Sequence, residues 1–211
     1  MIDMSTSSSP LATLRRFARP RPQVERCDLC GLEIPPEHQH LFEPANRRLI
    51  CSCEACSILF DAGANARFRR VPRRIQMLPD FQITDAQWEG LHLPINLAFI
   101  YFSSTAKRVV AMYPSPAGAT ESLLTLESWE ELSVANPILR ELQPDVEALL
   151  IHRVGDARQY CRVPIDQCFK LVGIIRTHWR GLSGGFTVWG EISRFFDELK
   201  QRSVQPGGSH A

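Results

Sequence analysis

Four of the seven cysteines fall into two pairs, Cys27-x2-Cys30 and Cys53-x2-Cys56, with 22 residues between them. A Cys-x-x-Cys turn aims two sulfurs at one ion, and two such turns complete a tetrahedron. Gly31, directly after the first pair, suits the tight knuckle in which the backbone turns around the metal. In a reducing compartment this spacing signifies metal ligation rather than disulfides. Zinc is the expected ion. An iron centre of rubredoxin type uses the same four thiolates and stays open as the alternative. Cys51 is a second candidate for the place of Cys53, because the run Cys51-Ser-Cys53-Glu-Ala-Cys56 permits a wider loop; the pairwise turn favours Cys53. His38 and His40 alternate along one strand face and are surplus to four cysteines. We expect them as hydrogen-bonding neighbours of the ligands. Four thiolates close the shell, so the expected role is structural, not catalytic.

Other residues carry weaker chemistry. Arg67, Arg69, Arg70, Arg73 and Arg74 crowd into eight positions with Phe68 and Val71 between them, which reads either as a hydrated connector or as a docking surface for an acidic partner. Pro114 to Ser122 holds hydroxyls and Glu121 at a strand end, but no nucleophile elbow surrounds Ser115. Gly181 to Gly185 precedes a helix yet lacks the lysine of a phosphate loop, so a helix–helix turn is expected. Glu121, Asp166 and His178 are the residues an enzyme would use. No spacing ties them together, and no catalytic residue is assigned. Cys161 and Cys168 read as core residues.

These residues need elements to hold them. With 211 residues, 44% hydrophobic and 22% charged, the chain has the composition of a globular protein. A net charge of +1 argues against a protein built to coat nucleic acid or an anionic membrane. No apolar run is long enough to span a bilayer, and no leader pattern opens the chain; a cytoplasmic setting without membrane insertion is expected. We divide the sequence into a flexible arm (1–23), a zinc-binding four-cysteine module (24–66), an Arg-rich connector (67–79), an α+β domain (80–202) and a flexible tail (203–211). In the module, His40 to Phe42 and Leu49 to Cys51 form a hairpin around Pro44–Arg47, and the second Cys pair opens a helix. Knuckle, hairpin and helix start resemble the treble-clef arrangement of zinc fingers.

In the larger domain, Ile95–Phe102 and Arg108–Tyr113 predict a hairpin, and the prolines and glycine of 114–118 predict a loop. Ser128-Trp-Glu-Glu131 has capping-box form and predicts a helix start, broken at Asn136-Pro137. Val146–Val154 and Gln159–Val163 predict a second hairpin. Ile165, Cys168, Phe169, Val172 and Ile175 then predict one helix, and Val188, Ile192, Phe195, Phe196 and Leu199 a last one. The class is α+β: an antiparallel sheet covered by helices on one side, with the N-terminal four-cysteine module.

Several strings taken together carry a resemblance: Cys-Asp-Leu-Cys-Gly (27–31), Glu-His-Gln-His-Leu (37–41), Cys-Ser-Cys-Glu-Ala-Cys (51–56), Tyr-Pro-Ser-Pro-Ala-Gly-Ala-Thr-Glu-Ser (113–122), Pro-Asp-Val-Glu-Ala-Leu-Leu (144–150) and Pro-Ile-Asp-Gln-Cys (164–168). Over residues 24–200 the chain resembles a bacterial family of unknown function often encoded near nickel–iron hydrogenase genes. The resemblance implies a non-catalytic accessory protein, with hydrogenase subunits or maturation factors as partners and a role in assembly or electron-transfer coupling. A rubredoxin-like electron carrier and a nucleic-acid-binding regulator acting through Arg67–Arg74 are the alternatives; a nucleic-acid partner is the less expected.

Overall fold

The structure, a computed structural model, describes residues 24–61, 67–122, 126–181 and 184–203. The expected arm, nearly all of the expected tail, and Leu182 and Ser183 of the glycine-rich turn lie outside the described residues.

The Cys module contains a hairpin of β1 (Gln39–Glu43) and β2 (Arg48–Ser52), followed by a short helix α1 (Glu54–Leu59). Arg47, in the four-residue turn, takes a left-handed φ of 50° to reverse the chain. Antiparallel pairing sets Glu43 opposite Arg48 and, three residues out, His40 opposite Cys51. A two-residue strand β3 (Arg69–Arg70) joins the other edge of β1, giving the order β2-β1-β3.

The rest of the chain builds a six-stranded sheet from β4 (Gln76–Met77), β5 (Leu97–Ser103), β6 (Arg108–Ser115), β7 (Gly118–Ser122), β8 (Glu147–His152) and β9 (Gln159–Pro164). Its order is β4-β9-β8-β5-β6-β7, and each adjacent pair runs antiparallel. The helices are α2 (Asp85–Gly90), α3 (Leu126–Ala135), α4 (Ile165–His178) and α5 (Gly185–Arg202), with a 3-10 turn at Pro137–Glu141. The class is α+β, as the order of hairpins and helices predicts.

Three local expectations need correction. The sheet is covered on both faces. Leu97, Phe99 and Tyr101 of β5 face α4 and α5, while Ala98 and Ile100 face a second buried cluster with Trp88, Leu91, Leu132 and Leu139. This explains why β5 is apolar at consecutive positions rather than alternating, the mark of a strand buried on two sides. The segment 114–118 is not a loop: Pro114 and Ser115 stay in β6, paired with Ala119 and Gly118 of β7. The register of β5 with β6 ends at Met112, so Pro114 sits where β6 has one neighbouring strand, and the missing N–H breaks no inner ladder. Finally, α3 begins at Leu126, which puts Ser128 within the helix rather than at its start. The capping box lies at α2 instead: Thr84 Oγ1 accepts from Gln87 N, and Gln87 Oε1 accepts from Thr84 N.

The helical spacings hold. Val188, Ile192, Phe195, Phe196 and Leu199 are the buried side of α5, and Ile165, Cys168, Val172 and Ile175 are buried on α4, with Phe169 half-buried beside them. Gly184, at the entry to α5, has φ 84°, and a Cβ there would lie 2.8 Å from Val188 Cγ1, so both conformation and space require glycine. Phe42 of β1 and Val71 after β3 belong to the same buried cluster as β5 and α4. Phe169 stands between Phe42 and Phe99, with ring centroids 6.0 and 6.1 Å away. The small sheet therefore leans on the large one.

Candidate metal centre

The first Cys pair sits on a turn closed by Gly31 N to Cys27 O (2.9 Å) and Cys27 N to Leu32 O (2.8 Å). Gly31, with φ 75°, takes the left-handed conformation the knuckle needs. The second pair straddles the start of α1: Cys53 is its N-cap, and its sulfur accepts from Cys56 N at 3.4 Å. Asp28 latches the two halves together. Its N–H donates to Cys51 O and its Oδ2 accepts from Cys51 N, each at 2.8 Å.

The result is one cluster: the sulfurs of Cys27, Cys30, Cys53 and Cys56 lie within 4.8 Å of one another and can hold a metal ion. A tetrahedral ion with metal–sulfur bonds of about 2.3 Å has sulfur–sulfur edges of about 3.8 Å. Cys30 Sγ and Cys53 Sγ are 3.7 Å apart, so at least this edge is already at coordination distance. Among the two candidates for the third ligand, the geometry selects Cys53; Cys51 falls in a different group.

The thiols are prepared unequally. Burial pushes the Cys27 thiol up, but backbone N–H groups of Cys53, Cys30 and Leu29 outweigh it and bring it down to about 6. Cys56 is pushed up to about 12 by burial and by the neighbouring sulfurs. The Leu32 backbone N–H pulls Cys30 down, yet the sulfurs of Cys27 and Cys53 together with burial leave it raised. Cys27 is thus the thiol most readily ionised for an ion, and ligation would displace the protons held by Cys30 and Cys56.

His38 and His40 do not turn toward this cluster for hydrogen bonds. His38 Nδ1 lies 2.9 Å from Pro35 O and 3.1 Å from Glu25 Oε2; His40 Nδ1 lies 2.9 Å from Asp166 Oδ2 at the start of α4. Together with Cys51 they form a second group of metal-capable side chains. The Cys51 thiol is raised by burial and by the negative charges of Asp28 and Glu25. Asp28, Glu25 and Asp166 carry no sequence signal for these roles, since a contact across 126 residues such as His40–Asp166 has no local spacing to betray it.

Three arginines of the Arg-rich segment are ion-paired, and of these Arg69 is the most buried. Arg67 Nε meets Glu43 Oε1 at 2.6 Å, Arg69 Nε meets the fully buried Asp145 Oδ2 at 3.0 Å, and Arg70 pairs with Glu54. Arg73 and Arg74 remain exposed. Arg73 lines a cleft of about 400 Å³ together with Arg70, Gln39, Glu54 and Asp61.

Each of the enzyme-like residues is engaged locally, with arginine or, for Asp166, with His40. Glu121 is clamped by Arg47 (2.7 Å) and Arg108, and although burial raises its pKa, these two cations pull it below the usual carboxylate range. His178 Nδ1 lies 3.0 Å from Ile174 O in its own helix. Asp166 and His178 are twelve residues apart on α4, about 18 Å at 1.5 Å per residue. Ser115 Oγ donates to Gly118 O at 2.9 Å inside its own hairpin. Cys161 is pushed up to about 12 and Cys168 well up, both by burial, which makes them inert core thiols.

No helix among the described residues is long and apolar enough to cross a membrane. None of the curated proteins and none of the solved structures matches this chain. Residues 26–203, which include the four-cysteine cluster and both sheets, match a family of unknown function, DUF5947, and the chain belongs to that family.

Proposed function

We propose that the protein is a zinc-containing accessory protein that recognises another protein and catalyses no reaction through its four-cysteine centre. The observation that carries this reading is the cluster itself: four thiolates satisfy a tetrahedral ion and leave it no position for substrate or water. Zinc fits such a closed, redox-silent site, and its role is to hold the knuckles on the hairpin.

The recognition surface lies beside it. Ile58 and Leu59 on α1 are 60% and 72% exposed, with Phe60 partly exposed after them, a concentration of apolar surface that monomeric proteins usually cover. Phe60 meets Phe68 edge-on, and Arg67 lies over the Phe68 ring, so the apolar patch runs into the Arg-rich segment. Exposed Arg73 and Arg74 supply the basic part of the surface, matched to an acidic partner. The resemblance to a family encoded near nickel–iron hydrogenase genes supplies the partner class: a hydrogenase subunit or maturation factor, whose assembly or electron-transfer coupling the protein assists.

The test is affinity capture with the full chain from its native cells, repeated with Arg73→Ala, Arg74→Ala and Leu59→Ser combined. Hydrogenase subunits or maturation factors captured by the wild type and lost with the variant support the proposal. Recovery of nucleic acid, or of no partner, overturns it. One observation favours a second reading: Cys30 is exposed, which would give electrons a short path to an iron centre. Red thiolate-to-iron absorption with a reversible redox wave would select that electron carrier; a colourless protein excludes it.

A further inference from the structure

His38, His40 and Cys51 are held by the module's hairpin in a way that the four-cysteine centre does not require. The register of β1 with β2 sets His40 directly across from Cys51, and His38, two residues earlier, shares the face of His40. The imidazole centroids are 4.7 Å apart, and each of the three residues offers a ligand atom within 4.8 Å of the others.

The hydrogen bonds decide which nitrogens are free. Pro35 O can only accept, so His38 Nδ1 carries the proton and its Nε2 bears the lone pair. Asp166 Oδ2 likewise engages His40 Nδ1, so His40 Nε2 is the nitrogen left for a ligand. Such carboxylate or carbonyl contacts on the far nitrogen are how proteins orient metal-binding histidines. His38 Nε2 is buried without a hydrogen-bond partner, on a side chain only 6% exposed. A buried nitrogen lone pair left unused is costly unless something occupies it.

Charge points the same way. Glu25 contacts His38 (3.1 Å), Asp166 contacts His40 (2.9 Å), and Asp28 accepts from Cys51 N (2.8 Å), so a carboxylate stands behind each of the three residues. Carboxylates around two imidazoles and a thiol favour a cation between them.

We propose that His38 Nε2, His40 Nε2 and Cys51 Sγ bind a second divalent ion of the zinc class, distinct from the ion of the four-cysteine centre, with one coordination position left for an exogenous ligand. Two imidazoles and one thiolate match the borderline softness of zinc, and three protein ligands are the number found where zinc keeps an open position. His40 is 27% exposed and Cys51 half-buried, so the open position is reached from solvent. The ion held by four cysteines braces the fold; this one is available to a ligand. The inference uses none of the four cysteines of the closed centre and stands whether or not the accessory role holds.

The probe is zinc alone. Equilibrium dialysis of the full chain against micromolar zinc chloride, followed by elemental analysis, should find two ions per chain in the wild type. It should find one in Cys51→Ser and one in the double variant His38→Ala, His40→Ala. Asp166→Asn, which leaves every ligand in place, should weaken the second ion by about 10- to 100-fold while the first stays bound. With cobalt(II) in the second site, added imidazole should shift the visible bands in the wild type. Equal ion counts in the wild type and the folded Cys51→Ser chain overturn the site. A cobalt spectrum unmoved by imidazole overturns the open position.

Discussion

Among the described residues, Ile34 is the one buried side chain that joins Cys27, Cys53 and Cys56 in their cluster, with Leu29 and Cys51 partly buried against it. The sheet face under α4 and α5 gathers 23 of the described side chains into one continuous core. The hairpin β1–β2 stands between the two, since Phe42 belongs to the large core while Leu41, Ile50 and Phe68 form a small cluster of their own. A knuckle with so little apolar surface offsets little of the entropy of ordering its chain, and an ion in the four-cysteine cluster would supply the rest. The large sheet needs none. With an ion in the cluster, stability would be graded, from metal-dependent at Cys27–Gly31 to core-dependent at β5 and β8.

The largest effect follows from removing the ion. Structural zinc contributes on the order of 10 kcal/mol to a small site of this kind. A chelator, or Cys53→Ser with Cys56→Ser, should release the knuckle and α1 from their fold while the six-stranded sheet persists. Hydrogen exchange read by mass spectrometry checks this: peptides over 25–36 and 51–60 should lose protection and those over 97–103 and 147–152 should keep it. Loss of protection in all of them would show that the two regions fold as one.

The converse change acts from the other side. Phe99 is fully buried between the rings of Tyr101 and Phe169, on the strand at the middle of the sheet. Phe99→Ala should cost about 3–5 kcal/mol through lost burial and the cavity left behind. Urea unfolding of the metal-loaded protein should show a lower midpoint with unchanged slope, and metal content per folded chain should not fall. A variant that also sheds the ion of its four-cysteine centre at low urea would mean the knuckle depends on the large core.

What was legible in the sequence was what spacing within a few residues encodes. The Cys pairs are closed by turns of three or four residues, so their partnership needs no knowledge of the fold. The faces of α4 and α5 follow from helical periodicity for the same reason. Register-dependent features were half legible: a four-residue turn over 44–47 puts 43 opposite 48 and hence 40 opposite 51, and the expected hairpin already implied that pair. What could not be read was which nitrogen of His40 would be engaged, because Asp166 arrives from the far end of the chain. Nor did the two-sided burial of the sheet follow from the order of hairpins and helices, although five consecutive buried residues in β5, Leu97 to Tyr101, carry it. In the Arg-rich segment one partnership was illegible for the same reason. Arg69 reaches the buried Asp145, a partner 76 positions on, which no local pattern displays.

The smallest effect sharpens the comparison within the large core, where a histidine replaces an apolar side chain. His152, at the end of β8, stacks on Phe196 with ring centroids 4.3 Å apart, and its Nδ1 lies 3.0 Å from Gln159 Oε1. Burial lowers its pKa below the ordinary 6.5, against a smaller opposing pull from Gln159. The folded state thus holds the ring neutral where the unfolded chain would protonate it. Between the folded and unfolded pKa values the unfolded state binds more protons, so stability rises with pH there. The contribution of neutral His152 is fully present above about 6.5 and is lost as pH falls toward the lower folded value. His152→Gln removes the titrating group and keeps a polar side chain near Gln159. Its thermal midpoint should therefore fall less than that of the wild type between pH 7 and pH 5, while the knuckle, which contains no part of this contact, keeps its own response to acid. Equal pH slopes in the two proteins would show that His152 does not govern the acid sensitivity of the core.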